Sequence, residues 1–328
     1  MTTMAPFLLA AAVSWGAGAP PAADPKAVEE VRAGKRKTAN AAWWGFDPAN
    51  ATASLQAALR SGAPTVIVPD MGRPWIVDPL FLESGTRLEL ESGVELQARA
   101  GGFKGRSDSL LTVEDKSDVT IVGPGAVLKM RKQDYRRPPY EKGEWRHCLA
   151  VFGSKNVSVS GIRCAGSGGD GIYVGRTDKR AYSENVAIKD VVLEDNYRQA
   201  ISVISVDGLA IENAVLSGTE GTPPGAGIDF EPNKADERIT RVRMKDCVFE
   251  KNEGFGVLVA PGMLAETSTP LDIRVEGGRV ADNKAGAVWV VSDTKARGEV
   301  VVRPAALAGK LFLPKLGPLR AVVGARAK

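Results

Sequence analysis

The stretch Val186-Ala-Ile-Lys-Asp-Val-Val-Leu193 holds the pattern that decides the fold. Apolar and polar residues alternate, an Asp interrupts the strand, and a second short strand begins. The chain shows this pattern six times, at spacings of 23 to 38 residues. Repeat units of this length cannot bury a core alone and must stack on their neighbours, so the sequence predicts a solenoid. The other five copies begin at Val119, Val157, Leu209, Val242 and Ile273.

A further strand follows downstream in each unit, as in Gly171-Ile-Tyr-Val174 and Gly256-Val-Leu-Val259. Alternation points its aliphatic side chains inward, where equivalent strands of successive coils would pair about 4.8 Å apart. A sandwich or propeller would instead need hairpin turns. The predicted fold class is therefore all-β, a single-stranded right-handed parallel β-helix (a solenoid), with the handedness taken from the usual crossover preference. The predicted inward residues are Leu149, Ile172, Ile201, Ile228, Val257 and Ala287, with Val151, Val174, Val203, Phe230, Val259 and Trp289 beside them.

The turns support the same register. Asn196, Asn252 and Asn283 fall at one equivalent turn position of their units. This spacing is typical of an internal ladder, in which stacked Asn side chains bind one another and the backbone.

The sequence predicts four regions along the chain. Residues 1–24 resemble a secretory signal peptide, because the apolar run Ala5–Trp15 is too short to span a bilayer and small residues follow it. The protein is therefore expected to be secreted or periplasmic, the alternative being a disordered Ala/Pro tail. Residues 25–64 form an N-terminal segment with a capping helix, since Asp47–Gly62 combines an N-capping signal, an amphipathic stretch and a Gly stop. Residues 65–300 form the β-helix, and residues 301–328 form a C-terminal cap or a tail.

Composition limits which binding partners are expected. A chain of 328 residues with 44% hydrophobic content can hold one ample core, and a net charge of +4 gives no general affinity for polyanions. The basic residues concentrate in one loop and the C-terminal tail without a nucleic-acid motif, so neither nucleic acid nor membrane is an expected partner. The expected assembly is a monomer or a homotrimer.

Two glycine-rich motifs carry a family resemblance. Gly168-Gly-Asp-Gly-Ile-Tyr-Val174 and Gly225-Ala-Gly-Ile-Asp-Phe-Glu-Pro-Asn233, with the cap helix and the Val-rich coils, resemble the pectate-lyase-like superfamily of right-handed parallel β-helix proteins over residues 45–300. That superfamily includes polysaccharide lyases, polygalacturonase-type glycosidases, uronan epimerases and phage tailspike depolymerases. The resemblance implies a polysaccharide or oligosaccharide substrate lying along an outward face of the helix, and the fold alone does not select a reaction.

Polar residues converge at outward positions of the downstream strand across four coils. The predicted catalytic residues are Asp229, Glu231 and Asp170. The same column later presents Leu258 and Val288, which carry no polar group. This contrast predicts a site around the carboxylates. The predicted substrate-binding residues are Arg198, His147, Tyr173, Arg146, Gln199, Trp145 and Asn233.

Carboxylate spacing favours hydrolysis. Asp229 and Glu231 are two residues apart on one strand, roughly 6.5 to 7 Å by backbone, and Asp170 is two rungs away at about 9 to 10 Å. Glycoside hydrolysis uses carboxylates about 5 to 9.5 Å apart, and crowding of like charges raises one pKa. The predicted function is thus a glycoside hydrolase acting on an acidic glycan without a metal or other cofactor.

Other functions stay open. A polysaccharide lyase or uronan epimerase would use Arg198, His147 or Tyr173, with Ca²⁺ or an arginine neutralising the uronate. A non-catalytic glycan-binding or structural solenoid would use the carboxylates for surface ion pairs with Arg198 and Lys234. The polygalacturonase motifs themselves are missing, since the chain has no Gly-His-Gly and Arg198-Gln199 stands where an Asp pair is expected.

The longest interval between units contains a basic insertion. Residues 129–147 mix seven Lys and Arg with Tyr135, Tyr140 and Trp145. Aromatic side chains can stack on sugar rings while cations meet carboxylate or sulfate groups. The sequence predicts that this loop overhangs the carboxylates as a cationic wall; the alternative is a solvated loop whose Trp145 packs on the coil.

Overall fold

The computed structural model describes residues 22–291, 294–313 and 318–325. In this part of the chain, successive coils contribute strands to a first, a second and a third sheet. Within each sheet the neighbouring strands are parallel. The proposed signal peptide lies outside the described residues except for residues 22–24. No helix in the described ranges is long and apolar enough to cross a membrane.

The strands are numbered in chain order. The first sheet contains β1 (Thr38–Asn40), β2 (Thr65–Val68), β5 (Arg87–Leu90), β8 (Ser117–Val122), β11 (Lys155–Ser160), β14 (Ser183–Lys189), β17 (Val206–Glu212), β20 (Ile239–Lys245), β23 (Leu271–Glu276), β26 (Gly298–Arg303) and β29 (Leu319–Val323). The second contains β3 (Trp75–Val77), β6 (Glu95–Ala98), β9 (Val127–Lys129), β12 (Arg163–Ala165), β15 (Val192–Glu194), β18 (Val215–Ser217), β21 (Val248–Glu250), β24 (Arg279–Ala281) and β27 (Ala306–Leu307). The third contains β4 (Leu80–Phe81), β7 (Leu111–Glu114), β10 (Leu149–Phe152), β13 (Ile172–Gly175), β16 (Ile201–Val203), β19 (Ile228–Phe230), β22 (Phe255–Val259), β25 (Gly286–Val290) and β28 (Leu311–Phe312).

The predicted register is confirmed over most of the helix. Ile172 pairs with Ile201 and Ile201 with Ile228, and all three are fully buried. Burying such a side chain stabilises the fold by about 1.5 to 3 kcal/mol, so each rung adds to one continuous core. The turns between the first and second sheets use left-handed residues where the pattern has Asp or Asn, with φ of 53° at Asp190 and 50° at Asn213.

The predicted register is wrong in the coil that contains β25. Val257 pairs with Val288 and Leu258 with Trp289, so Val288 and not Ala287 continues the inward row. Trp289, predicted inward, points outward and is 38% exposed. The sequence alignment matched Gly256 with Gly286, and a slip of one residue exchanges the two faces of a strand.

The Asn ladder forms in part. Asn252 donates from its side chain to Asn283 Oδ1 at 2.8 Å and to Leu216 O at 3.0 Å. The coil after Asn196 has Thr219 at the equivalent turn, so no Asn follows Asn196 there. Within the described residues, the buried Asn196 amide has no hydrogen-bond partner.

The predicted capping helix is confirmed as α2 (Thr52–Leu59), which follows α1 (Pro25–Arg32) and a 3-10 turn (Ala41–Trp44). Gln56 of α2 donates from Nε2 to Phe81 O and accepts from Phe81 N, both at 2.9 Å. Its amide thus occupies the hydrogen bonds that a further strand would make at the open edge of the third sheet. A second 3-10 turn, Asp134–Arg136, lies in the basic insertion.

The ladders also continue past residue 300, where the sequence left open a cap or a tail. Strand β26 pairs with β29, and Val300 and Val302 are fully buried. The described part of the C-terminal stretch therefore adds strands to the helix.

Candidate active site

The predicted site lies on the outward face of the third sheet, where two rows of side chains follow the helix axis. Strand register places His147, Asp170, Gln199 and Ala226 at equivalent positions of successive coils, which we call the first row. The second row is Ala150, Tyr173, Ser202 and Asp229.

Arg198 lies at the centre of a cluster of carboxylates, which we call the acid cluster. Its guanidinium donates to Glu231 Oε2 at 2.8 Å and lies 3.9 Å from Asp170 Oδ1 and 3.8 Å from Glu144 Oε1. Burial by itself lowers the pKa of Arg198, but the surrounding carboxylates, Asp170 and Glu231 first, outweigh that effect and raise it. Arg198 therefore stays charged. The members of the acid cluster are Glu144, Asp170, Arg198, Asp229 and Glu231.

The acid cluster has a partly exposed rim and a buried base. The side chains of Glu144, Arg198 and Glu231 are 33%, 13% and 36% exposed. Asp170 and Asp229 are fully buried beneath them. Sequence alternation had placed these two aspartates outward, and they do face away from the core; their burial comes from the residues that cover the sheet.

The surroundings of Asp229 favour its protonated form. Gln199 donates from Nε2 to Asp229 Oδ2 at 3.2 Å and accepts from Ala226 N at 2.6 Å, which fixes the amide orientation. Burial raises the pKa of Asp229 well above its usual value, and neighbouring Glu231 raises it further, while Arg198 acts in the opposite direction.

This pKa direction predicts a pH dependence of stability. Between the unfolded pKa, about 3.9, and the higher folded pKa, the native state keeps a proton that the unfolded state has lost. The free energy of unfolding must therefore fall as pH rises through that interval. Asp229→Asn has no such proton, so its melting temperature should rise relative to wild type as pH is increased from about 4. Thermal melts at several pH values test this, and a constant difference would mean that Asp229 ionises normally.

Asp170 has a different environment. His147 Nδ1 accepts a hydrogen bond from the Asp170 backbone N at 3.1 Å and lies 3.2 Å from Asp170 Oδ2. The His147 ring stacks on Tyr173, with centroids 4.7 Å apart. Neither oxygen of Asp170 has a hydrogen-bond donor within the described residues. Asp170 is thus a buried carboxyl group close to His147 and to the Arg198 guanidinium.

A cavity of about 480 Å³ opens beside the acid cluster, past Tyr173. Burial raises the pKa of the Tyr173 hydroxyl, and Asp170 adds to that effect. Asn233, predicted to bind substrate, also lines this cavity. The lining residues are Glu114, Phe152, Tyr173, Arg176, Thr177, Asp178, Ile204, Asn233, Lys234 and Glu237.

The sequence did not predict two carboxylates of this region. Glu144 accepts from Thr222 Oγ1 at 3.1 Å and reaches Arg198, but nothing in the insertion distinguished it from neighbouring charges. Glu237, 2% exposed, accepts from Lys234 N at 3.0 Å, and burial raises its pKa despite such hydrogen bonds. It lies in a turn, where no alternation indicates direction.

The structure corrects two substrate-binding residues, Arg146 and Gln199. Arg146 is fully buried and donates to Phe103 O at 2.9 Å and Glu141 O at 2.7 Å, so it holds the basic insertion against a neighbouring segment. Gln199 uses both ends of its amide to position Asp229, and it is fully buried.

Some charged residues of the predicted cationic wall make packing contacts instead. The insertion does reach the acid cluster, but its contact with Arg198 is the carboxylate Glu144. Its cation Lys132 is buried and bonds Asp195 Oδ1 at 2.7 Å. Gly169 admits the returning chain, since a Cβ there would lie 2.8 Å from both Arg146 N and Glu144 O. Some charged residues of the insertion thus take part in its packing.

Trp145, in contrast, is 37% exposed. The Arg106 guanidinium lies over its ring, 5.0 Å from the centroid.

These observations define the class of protein: the chain is a right-handed parallel β-helix protein, as the resemblance to the pectate-lyase-like superfamily implied. The family described as the right-handed β-helix region matches residues 141–300. Among solved structures, an iota-carrageenase complexed to iota-carrageenan fragments is 14% identical, with a TM-score of 0.59 over 78% of this chain and 57% of that chain.

Two further similarities come from different biological settings. PfbA, a surface adhesin of Streptococcus pneumoniae, is 16% identical with a TM-score of 0.51, over 82% of this chain and 80% of that chain. The SPbeta prophage-derived uncharacterized protein YorA of Bacillus subtilis (strain 168) is 23% identical over 195 residues, which is 55% of this chain and 33% of YorA. The chain thus spans about a third of YorA. At these identities the likenesses establish the fold.

Proposed function

We propose that this protein hydrolyses a polysaccharide, with Asp229 as the general acid. The observation that carries the proposal is a buried Asp229 with a raised pKa beside the Arg198–Glu231 ion pair. Asp229 gives its proton to the glycosidic oxygen as the bond to the anomeric carbon breaks. A carboxyl kept protonated by its surroundings is the form that this step requires.

Asp170 is the second carboxylate of the proposed reaction. Glu231 is paired with the Arg198 guanidinium at 2.8 Å, which leaves Asp170 as the other buried carboxylate. Asp170 lies two rungs from Asp229, roughly 9.6 Å along the helix axis by strand spacing, and it is close to the same guanidinium, Arg198. In the proposed reaction it is the base that activates a water across from the acid. Glu231 and Arg198 then adjust the pKa of Asp229 and form the rim of the site. Substrate entry has to move this rim.

The charges of the acid cluster also indicate which kind of sugar ring fits at the cleaved bond. The acid cluster has four carboxyl groups around one guanidinium, so an uncharged ring fits best at the cleaved bond. Anionic groups of an acidic glycan would lie farther away, where Arg137 and Lys142 of the insertion are exposed.

The three residues considered as the base of a lyase or epimerase reaction are poorly suited to that role. Arg198 is held in its charged form by carboxylates, and burial raises the pKa of Tyr173. His147 is 2% exposed, and its Nδ1 accepts a backbone hydrogen bond. These environments favour hydrolysis over β-elimination. The proposed reaction uses no metal or other cofactor.

The function is tested by product analysis on a panel of polygalacturonate, alginate, iota-carrageenan and an uncharged β-glucan. Hydrolysis releases new reducing ends without ultraviolet-absorbing unsaturated sugars. Unsaturated products would indicate a lyase. Binding without any product would indicate a non-catalytic glycan-binding protein, and either result contradicts the proposal.

The exposed cations of the insertion give a separate prediction. Replacing Arg137 and Lys142 together with Ala should weaken binding of iota-carrageenan or polygalacturonate by about tenfold at low salt, and should flatten the salt dependence of Kd. The matched control replaces Lys189 and Lys245, exposed on the first sheet, with Ala. If both double variants have equal affinities and equal salt slopes, Arg137 and Lys142 do not bind the glycan and the insertion is only structural.

A further inference from the structure

Farther along the helix, the first and second rows carry aromatic side chains. Phe255 follows Ala226 in the first row, because Ile228 pairs with Val257. In the second row, Leu258 follows Asp229, and Trp289 and Phe312 follow Leu258. The polar and aromatic parts thus share one outward face of the third sheet.

The three aromatic rings form one patch. The centroid of Trp289 lies 5.3 Å from that of Phe255 and 6.3 Å from that of Phe312. Trp289 and Phe312 are 38% and 47% exposed. Gly286 leaves the space that Phe255 fills, since a Cβ there would lie 2.8 Å from the Phe255 ring. Its φ of +155° also favours glycine.

We propose that Phe255, Trp289 and Phe312 form a sugar-binding platform for the same glycan chain, a proposal that rests on the proposed function. Trp289 lies two rungs from Asp229, roughly 9.6 Å along the helix axis by strand spacing. A glycan that follows the row away from its cleaved bond therefore crosses the platform a few sugar rings later.

The chemistry of the platform fits a pyranose ring. Each sugar ring has an apolar C–H face that packs on an aromatic ring and a hydroxyl edge that needs polar partners. The turn beside the platform supplies these from Glu253 and Lys284, whose side chains lie 3.4 Å apart. An exposed aromatic patch with a polar rim marks a binding surface, and continuity with the acid cluster selects the glycan as its occupant.

The test measures affinity against oligosaccharide length. The Asp229→Asn protein, which binds without turnover, is titrated by calorimetry with polygalacturonate and iota-carrageenan oligosaccharides of increasing length. Adding Trp289→Ala should weaken binding of the longer oligosaccharides by about tenfold or more and leave the shortest unchanged. Trp289→Tyr should retain most of the affinity. Met263→Ala is the matched control, since Met263 is 58% exposed and lies off the row.

Four outcomes overturn the platform: unchanged binding at every length, an equal loss at every length, no binding of either glycan series, or a Trp289-dependent change in sedimentation, which would make the patch an interface between copies. The proposed function fails separately. If Asp229→Asn retains full turnover while the length-dependent loss at Trp289 persists, the platform stands and the acid assignment falls.

Discussion

Asp229→Asn is expected to lower kcat by at least about a hundredfold, the scale on which general acid–base groups contribute. The Asn side chain has the shape of the protonated aspartic acid, and its oxygen can accept the Gln199 hydrogen bond, but it has no proton to donate. Steady-state kinetics on the glycan that the wild type cleaves, with circular dichroism to check folding, measure the effect.

Asp272→Asn is the control for this loss. Asp272 is an outward carboxylate on the first sheet, paired with Arg243 at 2.7 Å, and its amide should leave kcat unchanged. Glu231→Gln should also reduce activity by about a hundredfold, because Arg198 loses its closest carboxylate. Near-full activity of both Asp229→Asn and Glu231→Gln, together with an inactive Arg198→Ala or Tyr173→Phe, would replace the hydrolase assignment with a lyase.

Arg146→Ala is expected to produce the largest loss of stability, about 3 kcal/mol or more. The variant leaves the carbonyls of Phe103 and Glu141 without their donor and opens a gap beside Tyr135, whose ring the guanidinium approaches at 5.2 Å. Urea unfolding measures the free energy, and hydrogen exchange should show the protection lost in residues 129–147.

Arg137→Ala, at an exposed position of the same loop, should change stability by less than about 0.5 kcal/mol. If Arg146→Ala keeps wild-type stability and loses only glycan affinity, Arg146 binds substrate as the sequence predicted. The two variants thus separate an arginine that holds the loop from one that faces solvent.

The sequence predicted the fold well because the same constraint recurs in every coil. Ile172, Ile201 and Ile228 stack as their alternation required. The error came at Gly286. The sequence matched Gly286 with Gly256, but in the structure it pairs with Phe255, one residue earlier. Glycine spacing alone does not fix register where the turn changes length.

The site was harder to predict, since alternation reports which face a residue takes and not what covers that face. Asp170 and Asp229 lie in the predicted rows, yet both are fully buried. That burial is what raises the pKa of Asp229. Glu144 and Glu237 lie in irregular segments, whose side-chain directions depend on tertiary packing. The same limit led the sequence to assign Arg146 to the substrate.

The central claim is that the chain cleaves a glycosidic bond with water. Digestion of the active glycan in water labelled with heavy oxygen, followed by mass spectrometry of the oligosaccharides, tests it most directly. The account predicts that each new reducing end made by the wild type carries one heavy oxygen, and that Asp229→Asn yields almost none of this product. Shortened chains without heavy oxygen, ending in an unsaturated sugar, would contradict it.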